Sequence, residues 1–173
     1  EYLAFTGSLA ASQSEFNGAF GLAKRDGDAW RLAPPLIHAD SINNELERAH
    51  LVSHGGRYYA FWVTQRSTFS PDLRHAPNGL YGMVADSLSG PYRPLNGSGL
   101  VIANPPSAMA QCYSWFVSAD LLVSSFVDVW PAVGADDASE TPGKTLPFGG
   151  VPAPLLRLQI DGDTCMLSDE GSA

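Results

Sequence analysis

Short apolar or aromatic runs alternate along this chain with clusters of Gly, Pro, Asn, Asp and Ser. No window of twelve residues carries a 3.6-residue apolar stripe. The pattern predicts strands at 2–6, 19–24, 30–32, 47–53, 58–64, 80–85, 92–95, 100–103, 113–118, 121–129, 155–160 and 164–167, punctuated by thirteen prolines and seventeen glycines. An all-β fold follows. The stretch 131–150, with three acidic residues and several prolines and glycines, reads as a surface loop.

A repeat runs through the first hundred residues. Tyr2-Leu3-Ala4-Phe5 matches Tyr58-Tyr59-Ala60-Phe61 at an offset of 56. Asn17-Gly18-Ala19-Phe20-Gly21 matches Asn78-Gly79-Leu80-Tyr81-Gly82 at 61, and Trp30-Arg31-Leu32 matches Tyr92-Arg93-Pro94 loosely at 62. A unit of about sixty residues holding four strands has the size of a propeller blade with long loops. A propeller needs at least four blades, and this length holds roughly two and a half. The chain also enters a strand pattern at Tyr2 with no turn before it. The expectation is therefore one part of a propeller, completed by a companion chain, because open blades would expose unpaired edges.

Composition narrows the partners. At 173 residues and 45% hydrophobic content the chain can bury a core, and its formal charge is 10 − 18 = −8. No basic patch exists to displace counterions from nucleic acid, and no apolar run reaches the length that spans a bilayer. Neither nucleic acid nor membrane is expected as a partner. An acidic surface, with a pI of about 4.7, suits a secreted protein, extracellular or periplasmic. Cys112 and Cys165 are too few for a disulfide scaffold and lack metal-ligand spacing; one bridge or two buried thiols both fit. His50 and His54 have no Cys or His cluster to complete a metal site. No metal or cofactor is expected.

The candidate chemistry sits in Glu45-Leu46-Glu47-Arg48. If 45–51 is extended, both carboxylates share one face, and their repulsion raises the pKa of one toward a value useful for a general acid. For an arbitrary protein, such a pair is most often two solvated side chains on an edge strand. Arg48, on a regular strand, faces the other way. Arg66 closes the aromatic strand and is either a surface residue or one that reaches a sugar hydroxyl or orients Glu47. Tyr113 has a phenol that needs a partner if buried, so it is a candidate for facing the pocket.

These residues resemble a known family. Asn44-Glu45-Leu46-Glu47-Arg48-Ala49-His50 looks like the Glu-x-Glu-Arg motif of the fructansucrases, glycoside hydrolase family 68. The likeness continues through Arg57-Tyr58-Tyr59-Ala60-Phe61, Asn78-Gly79-Leu80-Tyr81-Gly82, the segment 88–101, Asn104-Pro105-Pro106 and Tyr113-Ser114-Trp115. It implies a five-bladed β-propeller of which residues 1–173 are the C-terminal part of a single catalytic domain. It also implies retaining transfer of a fructosyl unit from sucrose to fructan, sugar acceptors or water, through a covalent fructosyl-enzyme. By motif position Glu47 resembles the general acid/base, while Glu45, Arg66 and Tyr113 resemble substrate-binding residues.

The family's nucleophile and transition-state aspartates, in Val-Trp-Asp and Arg-Asp-Pro motifs, have no counterpart in this sequence. The resemblance therefore implies a companion N-terminal chain that carries both. Where some members hold calcium with an acidic residue, this sequence has Asn44. Two alternatives stand beside fructan synthesis: a mainly hydrolytic β-fructofuranosidase, and a non-catalytic sugar-binding or assembly fragment.

Overall fold

The structure, a computed structural model, describes residues 1–129 and 151–168. The loop expected at 131–150 lies outside the described residues. Among the described residues the chain is all-β, with two short 3-10 turns (Arg66–Thr68 and Pro71–Leu73) as its only helical pieces.

Three antiparallel sheets follow one another along the chain. In the first, β1 (Tyr2–Ser8) pairs with β2 (Gly18–Asp26), and β2 pairs with both β3 (Ala29–Leu32) and β4 (Ile37–His38). The second runs β5 (Glu47–His54), β6 (Arg57–Thr64), β7 (Gly79–Ala85), and the far edge of β7 is shared by β8 (Arg93–Pro94) and β9 (Leu100–Ala103). In the third, β10 (Ala110–Val117) pairs with β11 (Leu122–Val129). On β11 sit β12 (Val151–Pro152) and β13 (Leu156–Asp161), and β14 (Thr164–Leu167) closes the edge. The expected strands are all present. The two that sequence patterning missed, β4 and β12, are two residues long and exist only through their partners.

The second sheet lies between the other two, and β6 shows why. Its side chains alternate: Tyr59, Phe61 and Val63 pack with Trp115, Val117, Val123 and Leu158 of the third sheet. Ala60 and Trp62 pack with Phe20 and Ile37 of the first. A strand covered on both faces must be apolar in both phases, which is how the run from Tyr58 to Val63 reads. The outer hairpin of the third sheet is tied to the second by the Asn96 side chain. Its Oδ1 accepts from the Cys165 N–H at 2.8 Å, and its Nδ2 donates to the Cys165 carbonyl at 2.7 Å. Cys165 is a buried thiol and Cys112 a partly buried one; neither is in a disulfide.

The repeat is visible as register. Leu3 faces Ala23 in the first sheet as Tyr59 faces Val84 in the second, and Phe5 faces Gly21 as Phe61 faces Gly82. The offsets of 56 and 61 are those of the sequence. The loose third match is one residue out: Ala23 pairs with Leu32 and Val84 with Arg93, an offset of 61. The expected two and a half blades resolve as three sheets. Among the described residues, the first sheet has no strand on the free edge of β1, where β5 flanks β6 in the second.

Large exposed apolar side chains are absent from β5–β9. They fall on the flanking sheets, with Tyr2, Trp30 and Leu32 on the first and Phe116, Val151 and Met166 on the third.

The aromatic-over-glycine pair is a packing constraint that can be tested. A Cβ on Gly82 would stand 2.8 Å from the Phe61 ring and 2.9 Å from Leu95, both fully buried. Gly82→Ala should therefore lower stability, because overpacking costs about 1–3 kcal/mol. That exceeds the roughly 0.4–1 kcal/mol alanine gains by restricting the unfolded chain. A denaturant midpoint equal to or above that of the parent would contradict the packing described.

Candidate active site

The segment Glu45-Leu46-Glu47 leads into β5 at the seam between sheets. Leu46 is 3% exposed and belongs to the core shared with the first sheet, so its two neighbours project the other way. The carboxylates do share a face. The strand is not regular, however, as extension over 45–51 would require. It begins at Glu47, and the Glu45 N–H is taken by the Asn43 side chain at 2.7 Å. Immediately after Glu47 the strand bulges, since Glu47 faces Val63 while His50 faces Phe61. Arg48 is the extra residue and takes a φ of 52°. A bulge re-aims the side chains around it. Arg48 lines an open cavity of about 400 Å³ together with Phe116, Ser124 and Phe126.

A buried polar network holds the carboxylate segment from behind. Asn43 is 1% exposed and donates to the Thr64 hydroxyl at 2.7 Å; that hydroxyl donates to the Glu45 carbonyl at 2.9 Å. The Gly18 N–H reaches the Asn43 carbonyl at 2.8 Å, which fastens the segment to the first sheet as well. Because an unmet buried polar group costs about 1–3 kcal/mol, such a network fixes one backbone path. A second chain of amides serves β10: Asn78 donates to Gln111 at 2.7 Å, and Asn104 brackets Cys112 through its N–H and carbonyl at 2.9 and 2.8 Å.

Between these supports the Tyr113 hydroxyl donates to the Glu47 carboxylate, joining β10 of the third sheet to β5 of the second. Burial, and then this hydrogen bond and the charge of Glu47, push the phenol up to about 12; Gln65 and Arg48 act in the opposite direction. Gln65 hydrogen-bonds Tyr113 and lines a narrow crevice with Thr64, Asn78, Gln111 and Tyr113.

Arg66 opens the short 3-10 turn that follows Gln65. Its N–H is held by Asn78 at 2.6 Å and its guanidinium reaches the His75 carbonyl at 3.5 Å. Its Nε is buried with no hydrogen-bond partner in the structure, and no ion pair joins it to Glu45 or Glu47 among the described residues. Sequence reasoning thus found Glu45, Glu47 and Tyr113 together and missed Gln65. Alternation along Phe61, Val63 and Gln65 was the available signal, since it carries the third-sheet face of β6 one step past the strand.

The Glu45 carboxyl is held above its ordinary value. Burial is the largest cause, followed by the charge and hydrogen bonding of Glu47. Among the described residues no three His, Cys, Asp or Glu side chains converge as metal ligands.

The Levansucrase/Invertase family profile matches residues 6–170. Levansucrase of Erwinia amylovora is 39% identical over 155 residues, which are 88% of this chain and 35% of that protein. Inulosucrase from Halalkalicoccus jeotgali, solved bound to kestose, superposes with a TM-score of 0.81 at 39% identity and covers 96% of this chain and 46% of that one. Levansucrase from Gluconacetobacter diazotrophicus gives 0.80 at 25% identity, covering 99% and 42%. The chain spans about a third of the length of the curated relatives it matches. The superpositions make the three sheets blades of a β-propeller.

The raised Glu45 carboxyl has a thermodynamic consequence. A carboxyl whose pKa is higher folded than unfolded favours the fold while protonated, and that contribution is lost as pH rises through the folded value. Glu45→Gln should thus stabilise the fold at pH 7, and the gain should shrink below the ordinary value of 4.5. Unfolding midpoints of the two proteins at pH 7 and pH 4 check this, and a gain that grows on acidification would contradict it.

Proposed function

The chain belongs to the levansucrase/invertase family, glycoside hydrolase family 68, and on that premise we propose that it supplies the general acid/base of a retaining fructosyl transfer from sucrose. The observation that carries the reading is the Glu47 carboxylate at the entry of β5, hydrogen-bonded by Tyr113 from the next blade with Glu45 beside it. In this role Glu47 protonates the glucosyl oxygen as the fructosyl unit leaves. It then takes the proton from the acceptor, which is fructan, another sugar or water. Tyr113 orients the carboxylate, and Glu45 binds substrate hydroxyls. The same reading gives Arg66 a substrate-binding role, as its motif position implies.

Retaining transfer also needs a nucleophile on the opposite side of the sugar. This sequence holds neither Arg-Asp-Pro nor Val-Trp-Asp, and it covers 35% of the length of a levansucrase. Our reading assigns the nucleophile, the second aspartate and the remaining blades to the part of the family's propeller that this sequence does not cover. The apolar side chains exposed on the two flanking sheets are consistent with further blades packing there. A secreted location, extracellular or periplasmic, belongs to the same proposal.

One measurement tests this. In the enzyme assembled with its N-terminal part, Glu47→Gln should lower turnover of sucrose by about 10²–10⁴-fold, the usual worth of acid–base catalysis, without loss of assembly. Undiminished turnover would remove Glu47 from the role.

A further inference from the structure

His50 sits two residues past the β5 bulge and takes no part in the chemistry described above. Its Nε2 accepts the Val117 N–H of β10 at 3.0 Å. With Nε2 an acceptor, the ring proton of the neutral imidazole is on Nδ1, which donates to the Arg48 carbonyl at 2.8 Å. The ring stacks on Phe61 at 5.8 Å and on Phe116 at 4.9 Å. Burial lowers its pKa, in keeping with a ring held neutral.

The placement of its two partners gives the ring a task. The Arg48 carbonyl belongs to the bulge residue directly after Glu47. Strand β10 has a bulge of its own: Tyr113 faces Phe126 while Phe116 faces Ser124, and Ser114 takes a φ of 58°. Val117 follows that bulge. Both bulge residues are non-glycine and left-handed, a conformation that persists only where the surroundings over-determine it. One imidazole thus ties the strand that carries Glu47 to the strand that carries Tyr113.

We propose that His50 is a positioning residue for the reaction, locking the two bulged strands so that the Tyr113 hydroxyl and the Glu47 carboxylate meet. The proposal rests on Glu47 being the acid/base. Without the cross-sheet bond the two bulges shift independently, and the carboxylate loses its aim at the leaving oxygen while the sugar-binding groups stay in place. A displacement of that kind lowers kcat and leaves KM nearly unchanged.

The test uses the enzyme assembled with its N-terminal part, sucrose as substrate, and the variants His50→Phe, His50→Gln and Glu47→Gln. His50→Phe keeps the stacking and removes both hydrogen bonds. It should lose about tenfold or more in kcat with KM changed less than about threefold. His50→Gln restores an acceptor for the Val117 N–H and should recover kcat to within about threefold of the parent. If His50→Phe fails to fold, His50→Asn replaces it. It keeps the local donor to Arg48 and loses the cross-sheet acceptor, so it should fall well below His50→Gln. Parental kcat in His50→Phe beside an inactive Glu47→Gln would overturn the positioning role and leave the assignment of Glu47 intact. So would equal losses in the Gln and Phe variants. An active Glu47→Gln would instead overturn the proposed function itself, and the role of His50 with it.

Discussion

The molecule turns on the burial of β6 on both faces. Tyr59, Phe61 and Val63 on one phase and Ala60 and Trp62 on the other commit the second sheet to lie between two partners. Once that is fixed, the edge strands β5 and β10 come side by side, and the Glu47–Tyr113 hydrogen bond can cross the seam. The aromatic-over-glycine pairs, Phe61 on Gly82 and Phe5 on Gly21, let neighbouring strands accept rings of that size. Packing of this kind is unforgiving, because core density leaves no room for a single extra methyl at such positions.

Polar groups then do what apolar packing cannot, which is to choose one backbone path. Asn43, Thr64 and Thr68 are buried and satisfied among themselves and by the backbone around Glu45. Asn78, Gln111 and Asn104 do the same for β10. The result is a rigid rear wall behind a pair of carboxylates that repel each other. The wall, not the pair, sets the geometry; burial first, and then the charge and hydrogen bonding of Glu47, hold the Glu45 carboxyl above its ordinary value. Left-handed backbone at Arg48 and Ser114 belongs to the same economy of strain, concentrated where the proposed chemistry lies.

Much of this was legible from the sequence, and the remainder was not for definite reasons. Strand identity and the blade repeat follow from period-two patterning and from the spacing of Asn-Gly marks, both local signals. The family likeness put Glu47 and Tyr113 in one pocket, but their hydrogen bond across 66 positions was not legible. The bulge at Arg48 was invisible, because nothing in Glu47-Arg48-Ala49-His50 distinguishes a bulged strand from a regular one. So was the use of Gln65, which follows the strand and reaches Tyr113. A one-residue slip at a strand end reverses the face on which a side chain lies. The buried amides were seen only as turn and repeat marks; their role depends on partners 21 to 33 residues away.

The central claim is that Glu47 delivers a proton to the leaving group. The most direct measurement compares two donors on the assembled enzyme with Glu47→Ala: sucrose, whose glucosyl oxygen needs protonation, and β-fructosyl fluoride, whose leaving group does not. The account predicts that fructosylation from sucrose falls by about 10²-fold or more while that from the fluoride is largely retained. Equal losses with both donors, or none with either, would contradict it.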